Sequence, residues 1–430
     1  MKQIASYIFF LAIIITGCNT AQKGLNSKPT LSGTTAMQSA SAKEFVIRPK
    51  YEVYHLNDTL SELHFKLNSN GLLYTKREGE SLTSNCIISY QLCETINSTD
   101  VIDSASIQLT DVNNDNSNKY LIGKLYLHAN TGIKGYLKIT VFDRNRNFKA
   151  NTVIEFDKMN NASRQNFLVT NSGKHLFKSN IKLKDSLIIK HCISDNKTLY
   201  VKYYNRFFAP ALPPFSSTDT ARFDSSPDSI FTLKQKPTGS FEFTPERIGF
   251  YYFQTDTLIQ EGLTLFVFSN ASFPEIKKTE DMFYALRFIT SKEEYEAIET
   301  STNQKIAIEN FWLNTVNNDK EKARKSIRKY YNRVQKANEN FTSYIEGWKT
   351  DRGMIYLIFG RPNSFYKAET SETWIYNEDS AVGSISFTFV KSDTPFSNNH
   401  LILQRSTLYR QSWLSAVDLW RSGRAYYLDE

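Results

Sequence analysis

Between Gly347 and Tyr376 the chain concentrates side chains able to bind or to lock. It runs Gly347-Trp348-Lys349-Thr350-Asp351-Arg352-Gly353, then Met354–Phe359, then Gly360-Arg361-Pro362-Asn363, then Glu372-Thr373-Trp374-Ile375-Tyr376. Indole rings and guanidinium groups are what protein interfaces concentrate. Trp348, Asp351, Arg352, Arg361 and Trp374 are therefore candidate partner-binding residues around a shared groove, with Trp348 and an arginine exposed. The same stretch also reads as a structural lock. Gly347 and Gly353 bracket a tight loop between a helix and a strand, where glycine permits backbone angles that other residues avoid. Thr350 and Asp351 exchange hydrogen bonds with nearby backbone groups. Gly360 and Pro362 make a second turn with Arg361 at its tip, and Trp348 plugs the core beneath. Both readings stand at this level.

Enzyme chemistry has thinner support. His55, His64, His128, His175, His191 and His400 are scattered without metal-ligand spacing, so no metal and no cofactor is expected. There is no Gly-x-Ser-x-Gly elbow and no phosphate-cradling glycine loop. Glu293, Glu294 and Glu372 form a carboxylate pair only if the fold happens to join them, and exposed helix positions explain the first two equally well.

The elements that must hold these residues fall into blocks. A chain of 430 residues exceeds one ordinary core. Residues 1–17 read as a signal segment: Lys2 supplies positive charge, and Ile4 to Thr16 form an apolar run too short to span a membrane. Residues 18–43 are polar and read as a flexible tether. From 44 to 157 apolar residues alternate, as at Leu137, Ile139 and Val141, with turn clusters between. A second β region covers 158–275, with a proline-rich excursion at Phe208–Phe215 that cannot sit inside a central strand. The expected fold is multidomain: two N-terminal antiparallel β-sandwich-like modules, then a C-terminal α+β domain over 276–430.

In that last block Ser291 with Glu294 has the form of a capping box. A long helix is expected from about Asp319 to Phe341. Its seam is Ala323, Ile327, Tyr330, Val334, Ala337 and Phe341, and its other face is basic, with Lys320, Lys322, Arg324, Lys325, Arg328, Lys329, Arg333 and Lys336. That face is either solvated or a contact for anionic lipid headgroups. Met354–Phe359 and Ser384–Val390 read as strands, Thr373–Tyr376 as a strand between them, and Trp413–Arg421 as a closing helix. Cys86, Cys93 and Cys192 cannot all pair within one chain. Cys86 and Cys93 would face opposite sides of one strand, which favours buried thiols.

The stretch from Gly347 to Tyr376, with Asn332-Arg333-Val334 and Ala337–Phe341 upstream, resembles the signature of the GWxTD domain, a family of Bacteroidota envelope proteins with no assigned activity. The small residues before Cys18 resemble the bacterial lipobox, which implies a lipoprotein cleaved before Cys18 and acylated on it. Several acyl chains anchor stably where one does not. No acidic cluster follows Asn19, so the periplasmic face of the outer membrane is expected. Asp-Ser/Thr followed by a small or aliphatic residue recurs at Thr59, Ser104, Ser186, Thr220, Ser229, Thr257 and Ser380. Composition alone gives roughly two such triplets. The recurrence is similar to the general O-glycosylation acceptor of Bacteroidota, and ordinary turn starts explain it as well.

The net charge of +8 suits an anionic surface, and the signal segment argues against nucleic acid. The expected function is a membrane-anchored, non-enzymatic scaffold in the cell envelope whose partner is another envelope protein. The alternatives are a glycan- or polymer-binding protein, with Trp348 and Trp374 stacking on sugar rings, and an envelope-polymer hydrolase using a carboxylate pair.

Overall fold

The computed structural model describes residues 38–40, 47, 49–76, 81–113, 119–192, 197–217, 224–377 and 384–425. The expectations for residues 1–17, Cys18, most of the tether, Thr220 and Ser380 lie outside the described residues. Within the tether, strand β1 (Gln38–Ala40) is described, and it pairs antiparallel with a strand of the C-terminal block.

Two sheets build the first module. One is β2 (Lys50–His55), β3 (Leu60–Asn68) and β6 (Tyr120–His128), in that order. The other places β4 (Thr83–Cys93) between β5 (Asp103–Val112) and β7 (Lys134–Asp143), with β8 (Phe148–Asp157) at its edge. Alternation along each strand sends one set of side chains inward. Leu137, Ile139 and Val141 thus meet Leu63, Phe65 and Leu127 in one core. Cys86 points into that core, and Cys93 is buried at the end of the same strand. No disulfide links the three described cysteines.

The second module repeats the architecture. Strands β9 (Phe167–Asn171), β10 (Lys174–His175), β11 (Leu187–His191) and β14 (Ser240–Phe243) form one sheet. Strands β12 (Thr198–Tyr204), β13 (Ser229–Lys234), β15 (Gly249–Gln254) and β16 (Leu263–Val267) form the other. Val169, Ile189, Val201, Phe241, Phe253 and Leu265 fill the space between them.

The third block is α+β. Helices α1 (Thr279–Ala285), α2 (Lys292–Glu299), α3 (Gln304–Thr315) and α4 (Lys320–Phe341) precede a short helix α5 (Asp351–Phe359). Strands β17 (Ser364–Lys367), β18 (Ser371–Tyr376), β19 (Ile385–Lys391) and β20 (Leu401–Leu403) then form an antiparallel meander that β1 extends, and α6 (Tyr409–Arg421) closes the block. The expected capping box is present: Ser291 Oγ accepts from the Glu294 N–H, and the Glu294 carboxylate accepts from the Ser291 N–H. Asp319 caps α4 by accepting from the N–H groups of Glu321 and Lys322.

Two expectations are corrected. Met354–Phe359 is not a strand but the body of α5, all of whose residues are buried. An element covered on every side has no polar face, so its sequence carries no helical period. Arg333 does not belong to the exposed basic face either. It is among the largest fully buried side chains, on the same side of α4 as Tyr330 and Ala337, three and four residues away. Lys320, Lys322, Arg324, Lys325, Arg328 and Lys336 are exposed, and Lys329 is half-buried.

The proline-rich excursion is a strap across the C-terminal block. The Ala211 N–H donates to the Lys349 carbonyl at 2.8 Å, and the Ser406 N–H donates to the Pro214 carbonyl at 3.1 Å. Ala211 and Phe215 pack on that block's core. Above the strap, Tyr204, Phe250, Tyr252 and Phe266 of the second sandwich form one cluster with Tyr344 and Phe396.

Candidate functional site

The signature loop lies between α4 and α5, and both flanking elements are helices. A single turn of 3-10 helix at Gly347–Lys349 leads directly into α5. Neither Gly347 nor Gly353 has a positive φ. Their role is steric. A β-carbon on Gly347 would lie 2.0 Å from the Ala337 carbonyl oxygen of α4, and one on Gly353 would lie 1.8 Å from the Gly347 carbonyl oxygen. Only hydrogen fits at either point. Gly360 differs: it ends α5 at φ +78, and a β-carbon there would meet the Arg333 guanidinium at 2.5 Å.

Side chains then fix the loop. Thr350 caps α5: its hydroxyl accepts from the Gly353 N–H at 3.0 Å and donates to the Gly347 carbonyl at 2.7 Å. The Thr342 hydroxyl accepts from the Gly347 N–H at 2.9 Å. Asn338 of α4 accepts from the Trp348 N–H at 3.2 Å and donates to the Pro274 carbonyl at 3.1 Å. Arg333 donates to the Leu357 and Ile358 carbonyls at 3.2 and 3.3 Å. A cation is thereby placed at the negative end of α5.

Asp351 and Arg352 face different neighbours. Asp351 accepts from the Leu403 N–H at 2.9 Å and pairs with Arg405, whose guanidinium also donates to the Leu212 carbonyl of the strap at 3.3 Å. Burial pushes the Asp351 carboxyl up, and Arg405 and the Leu403 N–H pull it back. Arg352 pairs with Glu372 at 3.2 Å and donates to the Asn399 carbonyl at 2.7 Å. Burial lowers its pKa, and the Glu372 carboxylate opposes that. Glu372 also accepts from the Trp374 indole N–H. Trp374 packs on Phe341 and Phe389, and Trp348 meets Phe288 edge-on.

The expected exposed Trp–Arg groove is thus corrected. Trp348, Asp351, Arg352 and Trp374 are all buried. Arg361 is half-buried, and Pro362 is buried. Buried side chains with internal partners offer nothing to a docking surface. The three glutamates read as a possible carboxylate pair are separated: Glu294 forms a bidentate pair with Arg421 at 2.7 and 2.8 Å, Glu372 holds Arg352, and Glu293 is exposed. Among the described residues no group of three His, Cys, Asp or Glu is placed to hold a metal ion. Of the possible glycan acceptors, Thr59, Ser104, Ser186 and Thr257 are exposed, and Ser229 is half-buried with its hydroxyl accepting from Arg247 at 3.1 Å.

Sequence reasoning missed two clefts that the described residues form at seams between modules. The first, about 960 Å³, lies where all three blocks meet. Lys391 bridges it to Glu155 at 2.7 Å, and Arg164 pairs with Glu52 at 3.1 Å. Burial lowers the pKa of Lys50 and Lys178 on its walls. The second, about 550 Å³, lies between the second sandwich and the signature loop and is lined by Phe207, Asp281, Tyr284 and Trp348, among others. No sequence signal marks either, since each is assembled from segments far apart in the chain.

The architecture is that of a β-rich multidomain protein ending in an α+β unit built around a locked helix–loop–helix. Residues 249–422 match the family model of the GWxTD domain, and the chain carries that domain. The match opens at Gly249, inside the second sandwich, upstream of Phe273-Pro274, after which the alternating pattern of the strands gives way to a helical one. No curated protein matches the chain. Among solved structures, red sea bream transglutaminase is similar at 12% identity over 52% of this chain, with a TM-score of 0.18. The chain covers 32% of the length of that transglutaminase. A likeness this faint carries no argument.

Two outcomes follow from the lock. Gly353→Ala is expected to cost about 2–3 kcal/mol, because the Gly347 carbonyl must move for the new methyl, whereas Leu258→Ala, at a position 90% exposed, is expected to change stability by less than about 0.5 kcal/mol; urea unfolding of both variants measures the difference. His400, beside Ser343 and Tyr344, is pushed down to about 4 by burial and by Arg352. An imidazole whose folded pKa lies below its unfolded value resists protonation in the fold. Its contribution is complete above about pH 6.5 and is lost as pH falls toward 4. His400→Gln should remove part of that acid sensitivity, up to roughly 3 kcal/mol, read as a smaller fall in melting temperature between neutral and acidic buffer.

Proposed function

We propose that this chain is a lipoprotein of the Bacteroidota cell envelope, held at the periplasmic face of the outer membrane by acyl groups on Cys18, and that its body is a non-enzymatic docking scaffold for another envelope protein. The observation that carries the docking reading is a strip on β6. Tyr120, Ile122 and Tyr126 stand on the outer face of that edge strand at 53%, 60% and 46% exposure. Val112 at the end of β5 is also exposed. Large exposed apolar side chains gathered on one face are what partner surfaces present.

The edge itself is partly closed. The Tyr126 carbonyl accepts from the Tyr90 hydroxyl at 2.7 Å, and the His128 N–H donates to Asp103 at 2.7 Å. The strip therefore engages a partner through side chains rather than by adding a strand. Lys66 and Lys124 lie over the rings of Tyr120 and Tyr126 at 4.0 and 5.0 Å, which adds positive charge to the strip. The internal use of the signature side chains supports the same reading: they fix the shape of the body and leave recognition to its surface.

Cys18→Ala should move the protein from the membrane fraction to the soluble fraction of its host; retention in the membrane would refute the anchor. A photo-crosslinking residue at Ile122 in living cells should trap one envelope protein, with no such adduct from Leu258, which is more exposed. Absence of an adduct at Ile122, or the same adducts from both positions, would remove the strip from the docking account.

A further inference from the structure

Helix α4 turns a face of predominantly one sign outward. Its exposed basic residues are Lys320, Lys322, Arg324, Lys325, Arg328 and Lys336. Its other exposed residues are Glu321, Asn332 and Glu339, so the two acids stand near the ends. From Lys322 to Lys336 the chain contains no carboxylate, over a helix length of about 21 Å. Lys322 pairs with Asp319 at 3.6 Å and Arg324 with Glu321 at 3.0 Å, which balances charge over the first turns. Beyond them Lys325, Arg328 and Lys336 have no acidic partner within ion-pair distance among the described residues.

None of the exposed positions is aromatic or aliphatic. The face therefore lacks the aromatic anchors that carry protein interfaces and the rings on which a nucleobase stacks. The apolar side of the helix is used up inside: the Tyr330 hydroxyl donates to the Ala285 carbonyl at 2.6 Å, and Val334 and Ala337 lie in the core. What remains outside is a convex row of ammonium and guanidinium groups. A convex row encloses no single small anion, but it matches a flat array of them. Each Lys or Arg close to an anionic bilayer strengthens binding about fivefold.

The chain enters the body through the block that carries this helix. Strand β1 pairs with β17 at the edge of the C-terminal sheet. Nineteen residues separate Cys18 from Gln38, a reach of at most about 70 Å. We propose that the outward face of α4 docks on an anionic phospholipid surface and lays the C-terminal block against it. This placement rests on the anchored reading of Cys18 for its membrane and on charge complementarity for its face.

Cosedimentation with vesicles tests it, using the mature chain made without residues 1–17 and carrying Cys18→Ser, so that neither acyl group nor signal segment contributes. Vesicles of phosphatidylglycerol and phosphatidylcholine in equal parts should bind the chain, vesicles of phosphatidylcholine alone should not, and raised salt should release it. Lys325→Gln, Arg328→Gln and Lys336→Gln together should weaken binding about a hundredfold. Their melting temperature should hold, since glutamine suits an exposed helix position. Lys149→Gln, Lys174→Gln and Lys190→Gln remove the same charge from exposed positions on the two sandwiches and should leave binding within about threefold. No binding to the mixed vesicles would overturn the assignment, as would equal binding to phosphatidylcholine alone or equal weakening by the two triple variants. Tighter binding to poly-L-glutamate than to the mixed vesicles would also overturn it, in favour of an acidic protein. Vesicle binding here uses no acyl group, so it can fail while Cys18→Ala still releases the protein from membranes, and the reverse.

Discussion

Two backbone carbonyls meet two missing side chains where α4 crosses the signature loop. Ala337 presses on Gly347, and Gly347 presses on Gly353. At that separation the loop and the start of α5 have one position relative to α4. The rest of the C-terminal block follows from it. Thr350 can reach both the Gly347 carbonyl and the Gly353 N–H only because those groups are brought within one turn. Asp351 then lies under β20, Arg352 lies beside Glu372, and the far end of α5 arrives at Arg333. A contact between bare backbones has no side chain to rearrange, so the crossing is either made or lost as a whole.

Three arginines are drawn inside by this geometry, and each is matched differently. Arg333 meets the carbonyls that end a helix, Arg352 meets a carboxylate and a carbonyl, and Arg405 meets Asp351 and the strap. Removing charges from water is expensive, and buried pairs rarely add net stability over apolar packing. Their effect is better placed in specificity. A guanidinium has several donors in a fixed plane, so a small error of register costs Arg333 and Arg352 their acceptors, and costs Arg405 the carboxylate it holds although its Nε is already buried without one. The helix, sheet and strap are thereby held to one arrangement. The charged signature residues serve the interior.

Much of the architecture is legible in the chain. Alternation over 44–275 reports two-faced strands, and the Ser291–Glu294 spacing reports a helix start. The seam at Tyr330, Val334 and Ala337 reports the buried side of α4. The misreadings have physical causes. Met354–Phe359 mixes β-branched, aromatic and aliphatic residues without a polar face, and period is a measure of contrast between faces. Arg333 was grouped by its charge, although its spacing from Tyr330 and Ala337 already put it inside. Arg405 and Asn399 gave no local sign, because their partners lie more than forty residues away in the chain.

The ring cluster shared by the second sandwich and the C-terminal block bears on where one folding unit ends. Tyr344 and Phe396 are covered by Phe250 and Tyr252 from β15 and by Phe266 from β16. The family match likewise begins at Gly249 and takes in both of those strands. The change of pattern at Phe273-Pro274 therefore marks a change of secondary structure and not a seam along which the chain comes apart. A fragment cut there would bare six aromatic side chains on two surfaces, and neither half would keep its own autonomy. Evolution could not shuffle the α+β block among hosts without carrying a pair of strands along with it.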